Sequence, residues 1–384
     1  MIQSLIVYTF TALILSWLAH HAVWRERCLQ RAGGRALSFL CPEFIACILV
    51  FAAVAGMRYG VGVDHLSYLQ SYKEIEMNGH SLRTTVEPLF HNIGKFFVRL
   101  GLHYVFYFAF WAALQIGLLI HASRKNKEIL PYVMLYLMLG PYFLSFMNGI
   151  RQTLAECIIV VASHYIVQRK LSLYLFVVFI ATLIHKSAIL AAPLYFLPFG
   201  AQFWENRRLT ISVLVICVLV GGMPFISGSL PQVMPLLDLI GYGDYADKFD
   251  YLVSKDSISS MAWGPARLSM FLIGLFSIYF YPKIKKYFSK DSFVPLVFVM
   301  TFIGECLFGL LANTSYLFLR PVEYLTVFKL IAFGYLMSYL INRKDSLLAA
   351  FVLGVGITFM YWNIYKSVGV DRQVILYRFF FEFL

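Results

Sequence analysis

The chain has 384 residues, of which 60% are hydrophobic and 14% charged, and its mean hydropathy is +0.73. Soluble domains carry about 25% charged residues, so this composition excludes a water-soluble protein and predicts one that spans a lipid bilayer. The net charge of +12 is explained by cytoplasmic loops rich in lysine and arginine, so we expect no nucleic-acid partner. The six cysteines form no CxxC pair, which argues against a disulfide framework.

Apolar segments of membrane-crossing length alternate with short basic loops. Arginines follow the first segment and do not precede it, which is the reverse of a cleaved signal peptide. The pattern predicts an all-α polytopic membrane domain over 1–384 with about 11–12 transmembrane or re-entrant helices. Over half of the 32 basic residues fall in loops on one side, which makes that side cytoplasmic and places both termini outside. The apolar segments are 2–20, 38–57, 102–121, 129–147, 150–168, 171–199, 210–228, 262–281, 293–311, 322–341 and 347–363.

This membrane topology places three long polar segments outside: the loops 58–101 and 229–262 and the C-terminal tail 364–384. In the first loop, apolar residues recur at helical spacing near 86–100, which predicts an amphipathic helix lying in the membrane interface. Glu87 stands at the start of that helix, where a carboxylate can cap it. Capping is therefore the alternative to a catalytic role for this residue.

The first external loop opens on a group of polar residues. Gly60 and Gly62 allow a sharp turn or a close approach to a ligand, and Arg58 offers a planar fork of donors suited to phosphate oxygens. Asp64 and His65 are both credible proton acceptors. A tight turn with its polar residues in water is the other interpretation of this stretch. Two tyrosines follow within the next helical turns, Tyr68 and Tyr72.

Three further arginines, Arg151, Arg267 and Arg320, lie at or just inside the outer ends of helices. Positive charge is disfavoured on that side, and a guanidinium at that depth is costly unless a partner or a water-filled cavity accepts it. An ion pair from Arg151 to Glu156 is poorly spaced, because helix neighbours are three or four residues apart. Together with Arg58, these arginines suit an anionic lipid headgroup, most simply a phosphate or pyrophosphate.

The segment 171–199 is interrupted by His185-Lys186-Ser187, and each half is shorter than the roughly 20 residues of a full span. A re-entrant hairpin and two short spans both remain open, and each puts His185 at the outer tip. His185, Asp64 and Glu87 are the candidate proton acceptors on this face. The sequence has no phosphate-binding glycine loop, HExxH or GxSxG motif. The spacing of Asp64 and Glu87 does not demand a divalent cation, so we expect neither a metal nor a cofactor.

Five short blocks, taken in order over residues 58–324, together resemble the EpsG-type family of Wzy-like polysaccharide polymerases. Each block alone is weak, whereas their order and spacing are fairly specific. The blocks are Arg58-Tyr59-Gly60-Val61-Gly62 with Asp64 and Tyr68, then Glu87-Pro88-Leu89-Phe90, then Asn148 with Arg151-Gln152 and Ala155, then His185-Lys186-Ser187-Ala188 followed by Pro193, and finally Arg320 followed by Tyr324.

The resemblance implies a multi-pass enzyme of the bacterial inner membrane in the Wzx/Wzy-dependent pathway of O-antigen or exopolysaccharide synthesis. Its fold would be similar to that of lipid-dependent (GT-C-like) membrane glycosyltransferases. Donor and acceptor would both be oligosaccharide repeat units on undecaprenyl pyrophosphate, joined at the periplasmic face by glycosyl transfer to an acceptor hydroxyl. A flippase and a chain-length regulator are possible partners. The chain departs from the family pattern in having Val63 and His65, where threonine and tyrosine are more usual.

On this basis we expect a polysaccharide polymerase that transfers sugar by direct displacement at the anomeric carbon. The alternatives are an O-antigen ligase, a lipid-linked oligosaccharide flippase or other transporter, and a membrane acyltransferase. A transporter should show repeat symmetry and polar residues at the bilayer midplane, and neither is evident. The expected pyrophosphate clamp is Arg58, Arg151 and Arg320, with Arg267 as a fourth. The expected base is Asp64 or His185, with Glu87 orienting the base or substituting for it. The expected sugar and acceptor contacts are His65, Tyr68, Tyr72 and Tyr324.

Overall fold

The computed structural model describes residues 1–34, 37–80, 87–223, 264–314, 316–368 and 375–383. Within these residues the protein has fifteen α-helices and no β-strand. The helices are α1 (Ile2–Arg31), α2 (Pro42–Met57), α3 (His65–Asn78), α4 (Pro88–Arg99), α5 (Tyr104–Ala122), α6 (Leu130–Leu139), α7 (Tyr142–Asn148), α8 (Ile150–Val167), α9 (Leu171–Ile184), α10 (Arg207–Gly221), α11 (Pro265–Tyr287), α12 (Val294–Leu310), α13 (Tyr316–Thr326), α14 (Phe328–Asn342) and α15 (Ser346–Lys366). Short 3-10 helices occupy Lys127–Ile129, Lys186–Phe196, Gln202–Glu205 and Phe380–Phe383.

Five stretches of the described chain are helical, long and apolar enough to cross a membrane: α1, α5, α8, α15 and Phe318–Asn342, which runs through α13 and α14. A bent pair formed by Lys127–Leu139 and α7, with an angle of 67° between its arms, is a sixth candidate. Three more apolar helices, α2, α9 and α12, are shorter. The all-α polytopic fold that the composition predicts is confirmed.

Loops expected on the cytoplasmic side meet at one end of the helix bundle. Lys127, between α5 and α6, pairs with Glu26 near the end of α1 at 2.9 Å. Asn126 donates to Asp291, in the α11–α12 loop, at 3.5 Å. We call this the basic end. The opposite end, where α2 and α9 finish and α8 begins, is the site end.

The apolar segment 171–199 folds back on itself at His185. Helix α9 stops just before this residue, whose backbone is extended with φ of −150°, and a 3-10 helix follows. The hydroxyl of Tyr174 in one arm donates to the carbonyl of Ala191 in the other at 2.6 Å, so the two arms lie side by side. His185 therefore occupies the tip of a hairpin, at the site end.

Helix α4 occupies most of the range 86–100, over which the sequence predicts an amphipathic helix. It begins at Pro88, whose fixed φ and missing N–H suit a first helical position. Its inward face packs on α5, where the ring of Phe90 stacks on Trp111 with centroids 4.9 Å apart. The external loop expected over 229–262 lies outside the described residues.

The C-terminal segment 375–383 packs against the site end. The hydroxyl of Tyr377 donates to the carbonyl of Val54 at 2.7 Å, and the backbone N–H of Tyr377 donates to the hydroxyl of Ser4 at 2.8 Å. The backbone N–H of Tyr59 donates to a carbonyl of this segment at 2.8 Å. Residues from both extremes of the described chain thus brace the loop that follows α2.

Gly62 brings the backbone of that loop against the end of α7, and we expect Gly62→Ala to destabilise the protein and impair its activity. Its φ is +89°, and an added Cβ would lie 3.1 Å from the Cα of Asn148 and 3.2 Å from the carbonyl oxygen of Met147. Strained backbone at a non-glycine residue costs about 1–3 kcal/mol, and the collision adds to it. Gly60→Ala is the matched control, because Gly60 has φ of +69° with nothing within 4 Å of an added Cβ. Thermal unfolding in detergent should show a larger loss for Gly62→Ala, and equal losses would contradict the close-approach argument.

Candidate functional site

A cavity of about 260 Å³ opens at the site end between the loop after α2, the α7–α8 turn, the tip of the 171–199 hairpin and α13. It brings together five residues singled out from the sequence: Asp64, Tyr68, Arg151, His185 and Arg320. We call it the first cavity. Its other lining residues are Gly62, Val63, Leu144, Ser145, Asn148, Gly149, Gln152, Thr153, Glu323 and Ile375.

Glu87 joins Arg151 to His185. Its Oε2 accepts a hydrogen bond from Arg151 Nη1, and its Oε1 lies 3.2 Å from His185 Nδ1. Glu87 makes no side-chain cap on α4, so the capping interpretation is wrong. The rings of Tyr68 and Phe90 flank the guanidinium, with centroids 5.7 and 5.6 Å from its Cζ. Arg151 is thus fixed by one carboxylate and two rings, while its Nε has no hydrogen-bond partner among the described residues.

The Glu87 carboxylate, which is 5% exposed, is held ionised by its neighbours. Burial by itself raises its pKa, but the hydrogen bond with His185 and the charge of Arg151 outweigh burial and lower the pKa to about 2. A group with so low a pKa is a weak base at neutral pH. Glu87 therefore suits the positioning of Arg151 and His185 better than it suits proton abstraction.

The low pKa of Glu87 predicts a pH-dependent contribution to stability. Because the pKa falls from the ordinary 4.5 to about 2 on folding, the contribution is complete above pH 4.5 and is lost as the pH falls towards 2. Wild type should therefore be more stable than Glu87→Gln at neutral pH, and the difference should shrink over this window. Thermal unfolding in detergent at several pH values measures it. Glu76→Gln, which changes an exposed glutamate, is the control. A stability difference between wild type and Glu87→Gln that does not change with pH would contradict the prediction.

The loop after α2 shapes one wall of the first cavity. The side-chain oxygen of Asn148 accepts a hydrogen bond from the backbone N–H of Asp64 at 2.9 Å, across the contact at Gly62. Asn148 ends α7 and so ties the loop to the α7–α8 turn. This bond fixes the backbone at Asp64, a residue that lines the cavity.

Gln152 and Glu323 are cavity residues that the sequence reasoning did not assign to the site. Gln152 Nε2 donates to Glu323 Oε2 at 2.7 Å and to the carbonyl of Arg320 at 2.8 Å, which locks α13 onto α8. Helical spacing could have revealed Glu323, which lies three residues after Arg320 on the same face of α13. It gives no such signal for Gln152, because adjacent residues of a helix point in different directions.

A second cavity of about 420 Å³ lies next to the first, and Ser145 and Glu323 line both. Arg267 lines the second cavity, where its Nη1 donates to the carbonyl of Ala312 at 3.2 Å and its Cζ lies 5.5 Å from the ring centroid of Phe308. Arg267 therefore does not converge with Arg151 and Arg320 in the first cavity. The remaining lining residues are Pro141, Tyr142, Glu156, Gly264, Pro265, Ala266, Met270, Thr326, Val327, Lys329, Phe359, Trp362, Asn363 and Lys366.

Arg58, expected in the pyrophosphate clamp, does not line either cavity. Its side chain is 1% exposed and donates to backbone carbonyls of Ala55, of Val61 at 3.4 Å and of Met147 at 2.8 Å. Its Cζ lies 5.0 Å from the ring centroid of Phe108. Carbonyls left unpaired at the end of a helix need donors, and this guanidinium supplies them. Arg58 thus holds the end of α2 against the α7–α8 turn.

Of the four expected sugar-contacting residues, Tyr68 lines the first cavity, whereas His65, Tyr72 and Tyr324 do not. His65 is fully buried, and its Nδ1 accepts from the backbone N–H of Gly60 at 3.2 Å. Burial and then the charge of Arg58 lower the pKa of His65 to about 2, so it stays neutral. The hydroxyls of Tyr72 and Tyr324 are bonded elsewhere: Tyr72 donates to the carbonyl of Leu102 at 2.6 Å, and Tyr324 lies 3.0 Å from the hydroxyl of Ser187.

Metal ligation has no ready donor set in the part of the chain that the structure describes. No group of three or more histidine, cysteine, aspartate or glutamate side chains is gathered there. Among the carboxylates near the first cavity, Glu87 is paired with Arg151 and Glu323 with Gln152. The chemistry that this arrangement offers is therefore anion binding by arginine beside possible proton acceptors.

Comparison with known proteins was informative at the family level. The EpsG family model matches residues 44–379, a range that contains every residue of the first cavity. Searches of the curated proteins and of the solved structures gave no significant match. At the family level the match supports a function in exopolysaccharide synthesis of the Wzy-like polymerase kind. Because the match covers most of the sequence, the chain belongs to the EpsG family.

Proposed function

We propose that this protein is a membrane glycosyltransferase that polymerises oligosaccharide repeat units carried on undecaprenyl pyrophosphate. In this proposal the site end faces the periplasm of a bacterium, and the basic end lies in the cytoplasm, as the distribution of lysine and arginine favours. A flippase that delivers the lipid-linked units and a regulator of chain length are the expected partners.

One observation carries the proposal: two arginines from separate helices line one cavity together with possible proton acceptors. Arg151 comes from α8 and Arg320 from α13, and both line the first cavity with Asp64 and His185. Guanidinium groups bind phosphate oxygens through paired N–H donors. The carboxylate of Glu87 holds Arg151 in place in advance, so little side-chain entropy is lost when a pyrophosphate binds.

The geometry also suggests how the proton moves. Because Glu87 is ionised and can only accept, His185 Nδ1 must carry the hydrogen that they share, which leaves Nε2 as the nitrogen that can take a proton. In the proposed step the acceptor hydroxyl oxygen forms a bond to the anomeric carbon of the donor and gives its proton to His185, or alternatively to Asp64. The bond from that carbon to the pyrophosphate oxygen breaks, and its electron pair leaves with the pyrophosphate between Arg151 and Arg320. This direct displacement inverts the anomeric configuration.

The test is to incubate the purified protein in detergent or liposomes with a lipid-linked repeat unit and to separate the products by size. The proposal expects a ladder of products that differ by one repeat unit, with release of undecaprenyl pyrophosphate. Transfer to lipid A core without a ladder would identify an O-antigen ligase. Movement of the lipid-linked unit across the bilayer with no new glycosidic bond would identify a transporter.

A further inference from the structure

The second cavity carries no role in the chemistry described so far. Its volume of about 420 Å³ falls within the range of about 300–1,000 Å³ typical of small-molecule sites. It lies at the site end and shares the wall formed by Ser145 and Glu323 with the first cavity. A ligand in the second cavity would therefore lie next to whatever occupies the first.

Its walls carry acidic and basic groups side by side. Glu156 and Glu323 are the acidic ones, Arg267, Lys329 and Lys366 are the basic ones, and Lys329 is already paired with Glu305. A neutral ligand with many hydroxyl groups suits such a mixed lining, because each hydroxyl can donate to a carboxyl oxygen and accept from a guanidinium or ammonium group. A sugar ring has this chemistry.

Glu156 supplies the most specific feature. Its side chain is 3% exposed, it lines the second cavity, and its Oε1 has no hydrogen-bond partner among the described residues. A buried carboxylate oxygen without a donor is costly, and a donor from a ligand would remove that cost. A hydroxyl group of a ligand could donate a hydrogen bond to this oxygen, for which the described residues supply no donor.

An aromatic ring also lines this cavity. Trp362, near the outer end of α15, is one of its lining residues and is 37% exposed. The C–H bonds on one face of a sugar ring form an apolar surface that packs on a flat indole, while the polar edge of the sugar stays available for hydrogen bonds. A buried carboxyl group and an indole in one cavity together match a sugar on both of its surfaces.

Building on the proposed polymerase function, we propose that the second cavity binds a sugar of the acceptor repeat unit. Glu156 accepts a hydrogen bond from one of its hydroxyls, and Trp362 packs on its ring. The reacting hydroxyl then reaches the donor across the shared wall at Glu323. The donor occupies the first cavity, so donor and acceptor depend on different residues.

The test separates the two substrates of purified full-length protein. The donor is a labelled repeat unit on undecaprenyl pyrophosphate, and the acceptor is the same repeat unit on a plain alkyl chain, which cannot donate because it has no pyrophosphate. Glu156→Leu and Trp362→Ala should each raise the KM for the acceptor roughly tenfold or more, as expected for a lost hydrogen bond or a lost packing surface, and leave the KM for the donor unchanged. Glu76→Leu and Trp17→Ala are matched controls, since both side chains are exposed and lie outside the cavities.

The outcomes are distinct. No transfer by wild-type protein overturns the proposed function itself. Transfer by wild type with an unchanged acceptor KM in both variants overturns only the acceptor site, as does an equal rise in both KM values, which would place the donor's own sugars there. Trp362 is partly exposed, so Trp362→Ala remains informative even if Glu156→Leu fails to fold.

Discussion

Replacing Arg151 by alanine is expected to abolish long-chain polymer, while single lipid-linked repeat units remain. Arg151 and Arg320 both line the first cavity, and in the proposed mechanism their guanidinium groups hold the donor pyrophosphate as charge develops on it. Removing one such preorganised donor typically slows a reaction by about 10²–10³-fold. The measurement is the rate of ladder formation by purified protein, supported by the polymer length distribution in cells that carry the variant.

A structural effect of the same substitution can be separated from the catalytic one. Arg151→Ala leaves Glu87 buried with His185 alone, which should lower stability. The double variant Arg151→Ala/Glu87→Gln removes that unpaired charge, so stability should recover while polymerisation stays lost. Recovery of polymerisation in the double variant would show that Arg151 acts only as the partner of Glu87. Arg99→Ala, which removes an exposed arginine from α4, is the matched control.

Replacing Lys329 by methionine is expected to produce the largest loss of stability. Lys329 Nζ pairs with Glu305 Oε1 at 2.6 Å, and the two side chains are only 7% and 2% exposed. Removing one partner leaves the other as an uncompensated buried charge, which costs about 3–5 kcal/mol. Thermal unfolding in detergent, with yield in the membrane fraction as a second readout, measures the effect.

The double variant Lys329→Met/Glu305→Gln should regain most of that loss, since no unpaired charge remains. The exposed pair of Arg27 and Glu128, at 2.8 Å and with side chains 48% and 42% exposed, provides the comparison. Arg27→Met should cost no more than about 1 kcal/mol, because water screens such a pair. A Lys329→Met variant no less stable than Arg27→Met would refute a buried ion pair at this position.

The architecture could be predicted from sequence because its main signals are local. Runs of apolar residues mark the helices, basic residues mark one end of the bundle, and the break at His185 interrupts one run visibly. The left-handed glycine at position 62 could also be predicted, because Gly60 and Gly62 stand together in a polar stretch. These features depend on a few neighbouring residues and not on how the helices pack.

The partners of the charged residues could not be predicted in the same way. Glu87 precedes a proline at a helix start, which locally indicates a cap, and its actual partners Arg151 and His185 lie 64 and 98 positions away. Arg58 resembles the other outer arginines in sequence, but its guanidinium is used by carbonyls of its own loop and of the α7–α8 turn. Whether an arginine meets a backbone or a ligand depends on packing, which sequence spacing does not encode.

The packing of the C-terminal segment onto the site end has a consequence for biogenesis. Ile375 and Gly62 both line the first cavity, so more than three hundred positions of the nascent chain separate two parts of its wall. Until Ile375 is in place the early helices present an incomplete groove, and a partly translated chain lacks one wall of the first cavity. The first cavity would thus be complete only after the segment 375–383 has been translated and has packed against the site end.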